Sequence, residues 1–137
     1  MMLATDESTS PRVLVVDDSQ DERDMYEQQL VATGYRVQVA ENGEDALRRV
    51  ANQVPDVVVM DLAMPVLDGW EATRRLKETH PAVPVIVLSG HTGGDGGRRA
   101  KEAGGAVLLT KPFAPEALEL AIRVVLKRRA EAAAPRT

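Results

Sequence analysis

Five side chains able to do chemistry stand where short apolar runs end. Asp17 and Asp18 follow Val13–Val16, Asp61 follows Val57–Met60, Ser89 follows Val85–Leu88, and Lys111 lies just beyond Ala106–Leu109. If those runs lie side by side as parallel strands, residues far apart in the chain meet on one rim. Three carboxylates gathered there repel one another unless a cation neutralises them. A hard divalent ion with oxygen ligands answers that need, and Mg2+, which keeps several of its waters, suits an open rim. Lys111 and Ser89 would add an ammonium and a hydroxyl on the opposite side, so that the three together clamp an anion with several oxygens, such as a phosphoryl group. Asp61 lies between the two sides and is the candidate nucleophile. A carboxylate is a weak nucleophile and needs an activated phosphoryl donor, a neutralising cation and in-line placement. The product would be a labile acyl phosphate, and its added charge could reorganise nearby loops.

The elements that must position these groups are legible as five strand–helix alternations. Ser19-Gln-Asp-Glu22 reads as a capping box opening the first helix, which Gly34 closes as a C′ residue. Tyr35, Val37 and Val39 alternate with Arg36 and Gln38, as in a strand with one wetter face. Ala46, Leu47, Val50, Ala51 and Val54 recur at helical spacing from about Glu44 until Pro55. Asp68 opens a third helix running to about Thr79, before Pro81. Most of the glycines fall between Gly90 and Gly105, so a fourth helix over roughly Arg98 to Ala103 is expected to be short and soft. The last helix starts at Pro115 without a capping side chain at Ala114 and is expected to run toward Arg129. Near-continuous apolar strands alternating with helices imply a parallel sheet covered on both faces, hence a three-layer, doubly wound α/β domain of the (βα)5 type.

Composition narrows the function classes. The 137 residues suit one domain, and 44% hydrophobic with 28% charged residues is a globular balance. No cysteine is present, which removes disulfides, thiol catalysis and thiolate metal sites. Two histidines, His80 and His91, cannot build a multi-histidine metal centre. Seventeen Lys and Arg against 21 Asp and Glu give a net charge of −4, unfavourable for direct binding of nucleic acid. No apolar run approaches the roughly 18 residues of a membrane span, and Met1–Arg12 lacks the pattern of a signal peptide, so a cytoplasmic domain is expected. The glycine-rich stretch contains neither Gly-x-Gly-x-x-Gly nor Gly-x-x-x-x-Gly-Lys-[Ser/Thr], and Ser89 is flanked by Val87 and His91 where a hydrolase elbow needs glycines.

With these residues in place, the chain resembles a response-regulator receiver domain, CheY-like, of bacterial two-component signalling. The landmarks are Asp17-Asp18-Ser19, Asp61-Leu-Ala-Met-Pro65 with Asp68-Gly69, Ser89, and Lys111-Pro112-Phe113. The resemblance implies a flavodoxin-like sheet of strand order 2-1-3-4-5. It implies Asp61 as phosphoacceptor from a histidine kinase, a phosphotransfer protein or a small acyl phosphate. It implies Mg2+ held by Asp17, Asp18, Asp61 and the backbone carbonyl of Ala63, with Ser89 donating its hydroxyl to a phosphoryl oxygen and Lys111 pairing with the phosphate or with Asp61. It also implies a cis Lys111–Pro112 peptide. Such a domain is a signalling switch that assists its own Mg2+-dependent phosphorylation, not an enzyme.

The chain departs from the family pattern at two places. Leu108 stands where a Tyr or Phe usually swings with the hydroxyl residue, and it offers neither ring nor hydroxyl. Gly90 follows Ser89 where Ala is common, while Ala63 and His91 occupy positions lining the approach of hydrolytic water. The expected organisation is a disordered segment over residues 1–11, a receiver over 12–130 and a flexible tail over 131–137. It is expected to stand alone, without touching nucleic acid or membrane, and to signal through an unknown protein partner at the face of the fourth helix, fifth strand and last helix. Leu108 motivates an alternative, a receiver-like interaction module that works without phosphorylation. A haloacid-dehalogenase-like phosphohydrolase would need Asp-x-Asp after the first strand, which Asp17-Asp18-Ser19 does not supply.

Overall fold

Whether the alternating pattern closes into one sheet depends on which faces of the strands are apolar. In the central strands both are. A computed structural model describes residues 10–62, 68–90, 98, 102, 104–105 and 107–133. The strands are β1 (Arg12–Val16), β2 (Arg36–Ala40), β3 (Val57–Asp61), β4 (Val85–Ser89) and β5 (Val107–Thr110). All pair in parallel in the order β2-β1-β3-β4-β5, the expected topology. Asp61 and Ser89 are the last residues of their strands, and the fifth strand sits one residue later than the expected Ala106–Leu109. The Ala63 carbonyl, His91, Ala106, residues 1–9 and 134–137, and most of the stretch expected to form a fourth helix lie outside the described residues.

Alternate residues along the strands feed two separate cores. Leu14, Val16, Val58, Met60, Val85 and Val87 point to one face, where Ala46 and Val50 of α2 (Gly43–Asn52) and Ala72 and Leu76 of α3 (Gly69–Thr79) cover them. Val13, Val15, Val57, Val59, Ile86 and Leu88 point to the other face. There they meet Tyr26 and Leu30 of α1 (Gln20–Ala32) and Leu118, Ile122 and Val125 of α4 (Pro115–Ala133). The i, i+4, i+7 spacing of the α4 residues is the apolar stripe of a helix lying on a sheet. Leu108 packs half-buried against the α2–α3 core.

Local chemistry fixes the element ends. The Ser19 hydroxyl accepts the Glu22 N–H at 3.3 Å, as expected, but only half of the capping box forms. The Ser19 N–H is taken by Asp17 Oδ1 at 2.9 Å, so the Glu22 carboxylate is free to point elsewhere. At the other end of α1, Gly34 adopts φ +103°, its N–H donates to Val31 O, and the Tyr35 N–H donates to Leu30 O. This pairing is a Schellman motif, which needs a left-handed residue at C′. Asn42 and Asp68 cap α2 and α3 through Asp45 N–H (2.8 Å) and Glu71 N–H (2.9 Å). The last helix corrects one expectation: it runs to Ala133, through the first three residues assigned to a flexible tail. Ala130, Glu131, Ala132 and Ala133 are strong helix formers, and no breaker precedes Pro135.

Candidate functional site

The carboxyl ends of β1, β3, β4 and β5 bring Asp17, Asp18, Asp61, Ser89 and Lys111 to one rim. Asp17, Asp18 and Asp61 each offer one oxygen, and these atoms lie within 4.8 Å of one another. The three differ in setting. Asp18 is exposed, Asp61 is buried, and Asp17 is 1% exposed. Asp17 is held from several sides: its Oδ1 accepts the Ser19 N–H, its own N–H donates to Ala40 O at 3.1 Å, and its carbonyl accepts from the Arg23 guanidinium at 2.7 Å. Its second oxygen, Oδ2, is buried and accepts no hydrogen bond. Burial pushes the Asp17 carboxyl up to about 6, the Ser19 N–H opposes that rise, and the charges of Asp61 and Glu22 add to it. A buried carboxylate with an unsatisfied oxygen beside two other carboxylates is an all-oxygen donor set, and the residues fit a hard divalent ion.

Ser89 ends β4 and Lys111 directly follows β5. Ser89 pairs with Thr110 in the β4–β5 ladder, and the Lys111 N–H donates to Ser89 O at 2.7 Å, extending the ladder one residue beyond β5. The Lys111–Pro112 peptide is cis. Lys111 Nζ lies 3.6 Å from Asp61 Oδ1 and 3.9 Å from Asp17 Oδ2, so ammonium and acids do meet. Its nearest partner, however, is Glu22, whose Oε1 accepts from Nζ at 2.9 Å. Burial pulls the ammonium down, but the Glu22 bond and the charge of Asp61 outweigh it and hold Lys111 above the usual lysine range.

Two parts of this arrangement escape motif reading. Glu22 was legible only as the last residue of a capping box, yet from the first turn of α1 its carboxylate reaches the Lys111 ammonium. Tyr26, one turn further, stacks on Phe113 with ring centroids 6.3 Å apart and planes at 11°, fixing α1 against the segment that carries Lys111. Behind Asp61, the first residue of α3 is packed so closely that a Cβ on Gly69 would overlap the Asp61 carbonyl oxygen and lie 2.8 Å from Leu62 Cα. A side-chain-free residue there lets α3 begin directly behind β3.

Comparison with known proteins agrees with this geometry. The response regulator receiver domain profile matches residues 13–123. Transcriptional regulatory protein PrrA of Mycobacterium tuberculosis is 40% identical over 125 residues, 91% of this chain and 54% of PrrA. Response regulator MprA of Mycobacterium sp. (strain KMS) is 39% identical over 117 residues, 85% of this chain and 51% of MprA. The chain thus spans about half the length of these curated relatives. Among solved structures, the chemotaxis protein CheY4 of Vibrio cholerae superposes with a TM-score of 0.81 at 31% identity, covering 85% of this chain and 99% of CheY4. The receiver domain of the Francisella response regulator 1452 does so with a TM-score of 0.82 at 30% identity, covering 87% of this chain and 98% of that one. No described helix is long and apolar enough to cross a membrane. A parallel 2-1-3-4-5 sheet with its acids, hydroxyl and lysine on one rim, matched along most of its length by this profile, belongs to the response regulator receiver domain family of two-component signalling.

Proposed function

We propose that Asp61 accepts a phosphoryl group from a histidine kinase, a phosphotransfer protein or a small acyl phosphate, and that the modified domain signals to a protein partner in the cytoplasm. The observation carrying this reading is the position of Asp61, with an Asp17 and an Asp18 oxygen within 4.8 Å and the Lys111 ammonium 3.6 Å away. An Asp61 carboxylate oxygen attacks phosphorus as the bond to the leaving imidazole nitrogen or acyl oxygen breaks, in line on the far side. Attack by a carboxylate oxygen releases no proton, so the step needs no base. Lys111 pairs with the phosphoryl oxygens and Ser89 donates its hydroxyl to one of them, two contacts that strengthen as charge develops. Asp17, Asp18 and Asp61, with the Ala63 carbonyl, would hold Mg2+, which supplies neutralisation of the incoming phosphoryl charge. Output is read at the face of the expected fourth helix (most of which lies outside the described residues), β5 and the last helix, α4, on which Leu120 is exposed. Leu108 supports a second reading, a partner-binding module indifferent to phosphorylation, since no aromatic ring at that position can turn inward.

Incubation with acetyl phosphate and Mg2+, followed by intact-protein mass spectrometry, tests the first reading. One phosphoryl group is expected on wild type and none on Asp61→Asn. Incorporation unchanged by that substitution refutes the assignment, and equal partner affinity of the two proteins favours the second reading.

A further inference from the structure

We infer that Glu22 is a positioning residue for phosphoryl transfer, holding Lys111 in the unmodified protein and competing with the phosphoryl group for it. The inference rests on Asp61 being the acceptor. The Lys111 ammonium is within hydrogen-bond distance of the Glu22 carboxylate, at 2.9 Å, while Asp61 Oδ1 and Asp17 Oδ2 stand at 3.6 and 3.9 Å. Lysine is a compact point charge on a flexible stem, so a turn of its last bonds carries Nζ from one anion to another. A phosphoryl group on Asp61 brings up to two negative charges to a carboxylate whose Oδ1 already stands 3.6 Å from the ammonium, which draws Nζ away from Glu22.

Two features make that exchange close to balanced. Glu22 is released from the usual reciprocal cap because Asp17 Oδ1 already takes the Ser19 N–H, so its carboxylate is available to the lysine. Once Lys111 leaves, Glu22 is not stranded. Its side chain is 37% exposed, it borders a cleft of about 260 Å³ open to water, and the first turn of α1 favours an acid there. Glu22 therefore sets how readily the site takes up an oxyanion without touching that oxyanion itself.

Beryllofluoride, a phosphoryl mimic, titrated in Mg2+ and read by fluorine NMR of the bound species, tests this. Glu22→Gln is expected to tighten the mimic by about two- to fivefold, the range of one half-exposed ion pair. It should likewise lower the acetyl phosphate concentration giving half-maximal phosphorylation, with the maximal rate unchanged. Asp24→Asn changes the net charge equally on an exposed face of α1 and is expected to leave affinity at the wild-type value. Glu22→Asp should restore part of the competition. Equal or weaker mimic affinity in a folded Glu22→Gln protein, or the same gain in Asp24→Asn, overturns the role of Glu22 while Asp61 stands as acceptor. Absence of binding by wild type overturns both.

Discussion

Replacing Asp17 by Asn should stabilise the metal-free protein, and the size of the effect follows from the setting of that side chain. Asp17 is 1% exposed, its Oδ2 accepts no hydrogen bond, and Asp61 and Glu22 stand nearby. Moving a carboxyl from 3.8 to about 6 corresponds to about 3 kcal/mol of strain in the folded, ionised state. The sign is that of a raised acid. Below pH 3.8 the group is protonated in both folded and unfolded chains and contributes nothing. As pH rises toward 6, the unfolded chain gives up its proton first, and stability is lost until the folded group also ionises. Asparagine keeps the oxygen that accepts the Ser19 N–H and removes the charge. At pH 7.5 without divalent ions, Asp17→Asn should therefore gain about 2–3 kcal/mol, or roughly 6–12 °C in Tm. The gap should close toward pH 4. Millimolar Mg2+ should raise the Tm of wild type, because it binds the folded form, and leave Asp17→Asn nearly unmoved. Urea and thermal melts across pH, with and without Mg2+, measure all of this. A variant no more stable than wild type at pH 7.5, or a gap that does not change with pH, refutes the reasoning.

Other perturbations separate the scaffold from the site. Gly69→Ala forces a Cβ onto backbone atoms of Asp61 and Leu62, so α3 and the end of β3 must move apart; urea melts should show a loss of about 1–3 kcal/mol, with weaker beryllofluoride binding because Asp61 is displaced. Asn42→Ala removes the acceptor of the Asp45 N–H and should lower stability by about 1 kcal/mol in urea melts.

The fold was largely legible in the amino-acid pattern because its signals are local. Apolar strands and the Ser19, Asp68 and Gly34 end signals each act within a few residues and appear where the pattern puts them, whereas α2 ends at Asn52 and leaves Val54, expected on its apolar face, exposed beyond it. The strand order was not legible from periodicity and came from resemblance alone. Within the site, strand ends predicted the meeting of Asp17, Asp18, Asp61 and Lys111. They did not predict Glu22 as the first partner of Lys111, since that contact spans 89 residues and the carboxylate had a plausible local role at the helix start. The cap failed to close because Asp17 had already claimed the backbone donor, a competition between neighbours that spacing rules do not weigh. The end of α4 was misplaced for the opposite reason: basic residues suit a helix terminus without enforcing one, and the alanine-rich sequence simply continued.

The backbone bond from Lys111 to Ser89 joins two reactive groups into a single mechanical unit. Their separation is dictated by strand pairing, so the stretch of chain between β4 and β5 is freed from any duty of spacing them. Exchange of that stretch should therefore leave the backbone spacing of Lys111 and Ser89 as strand pairing sets it.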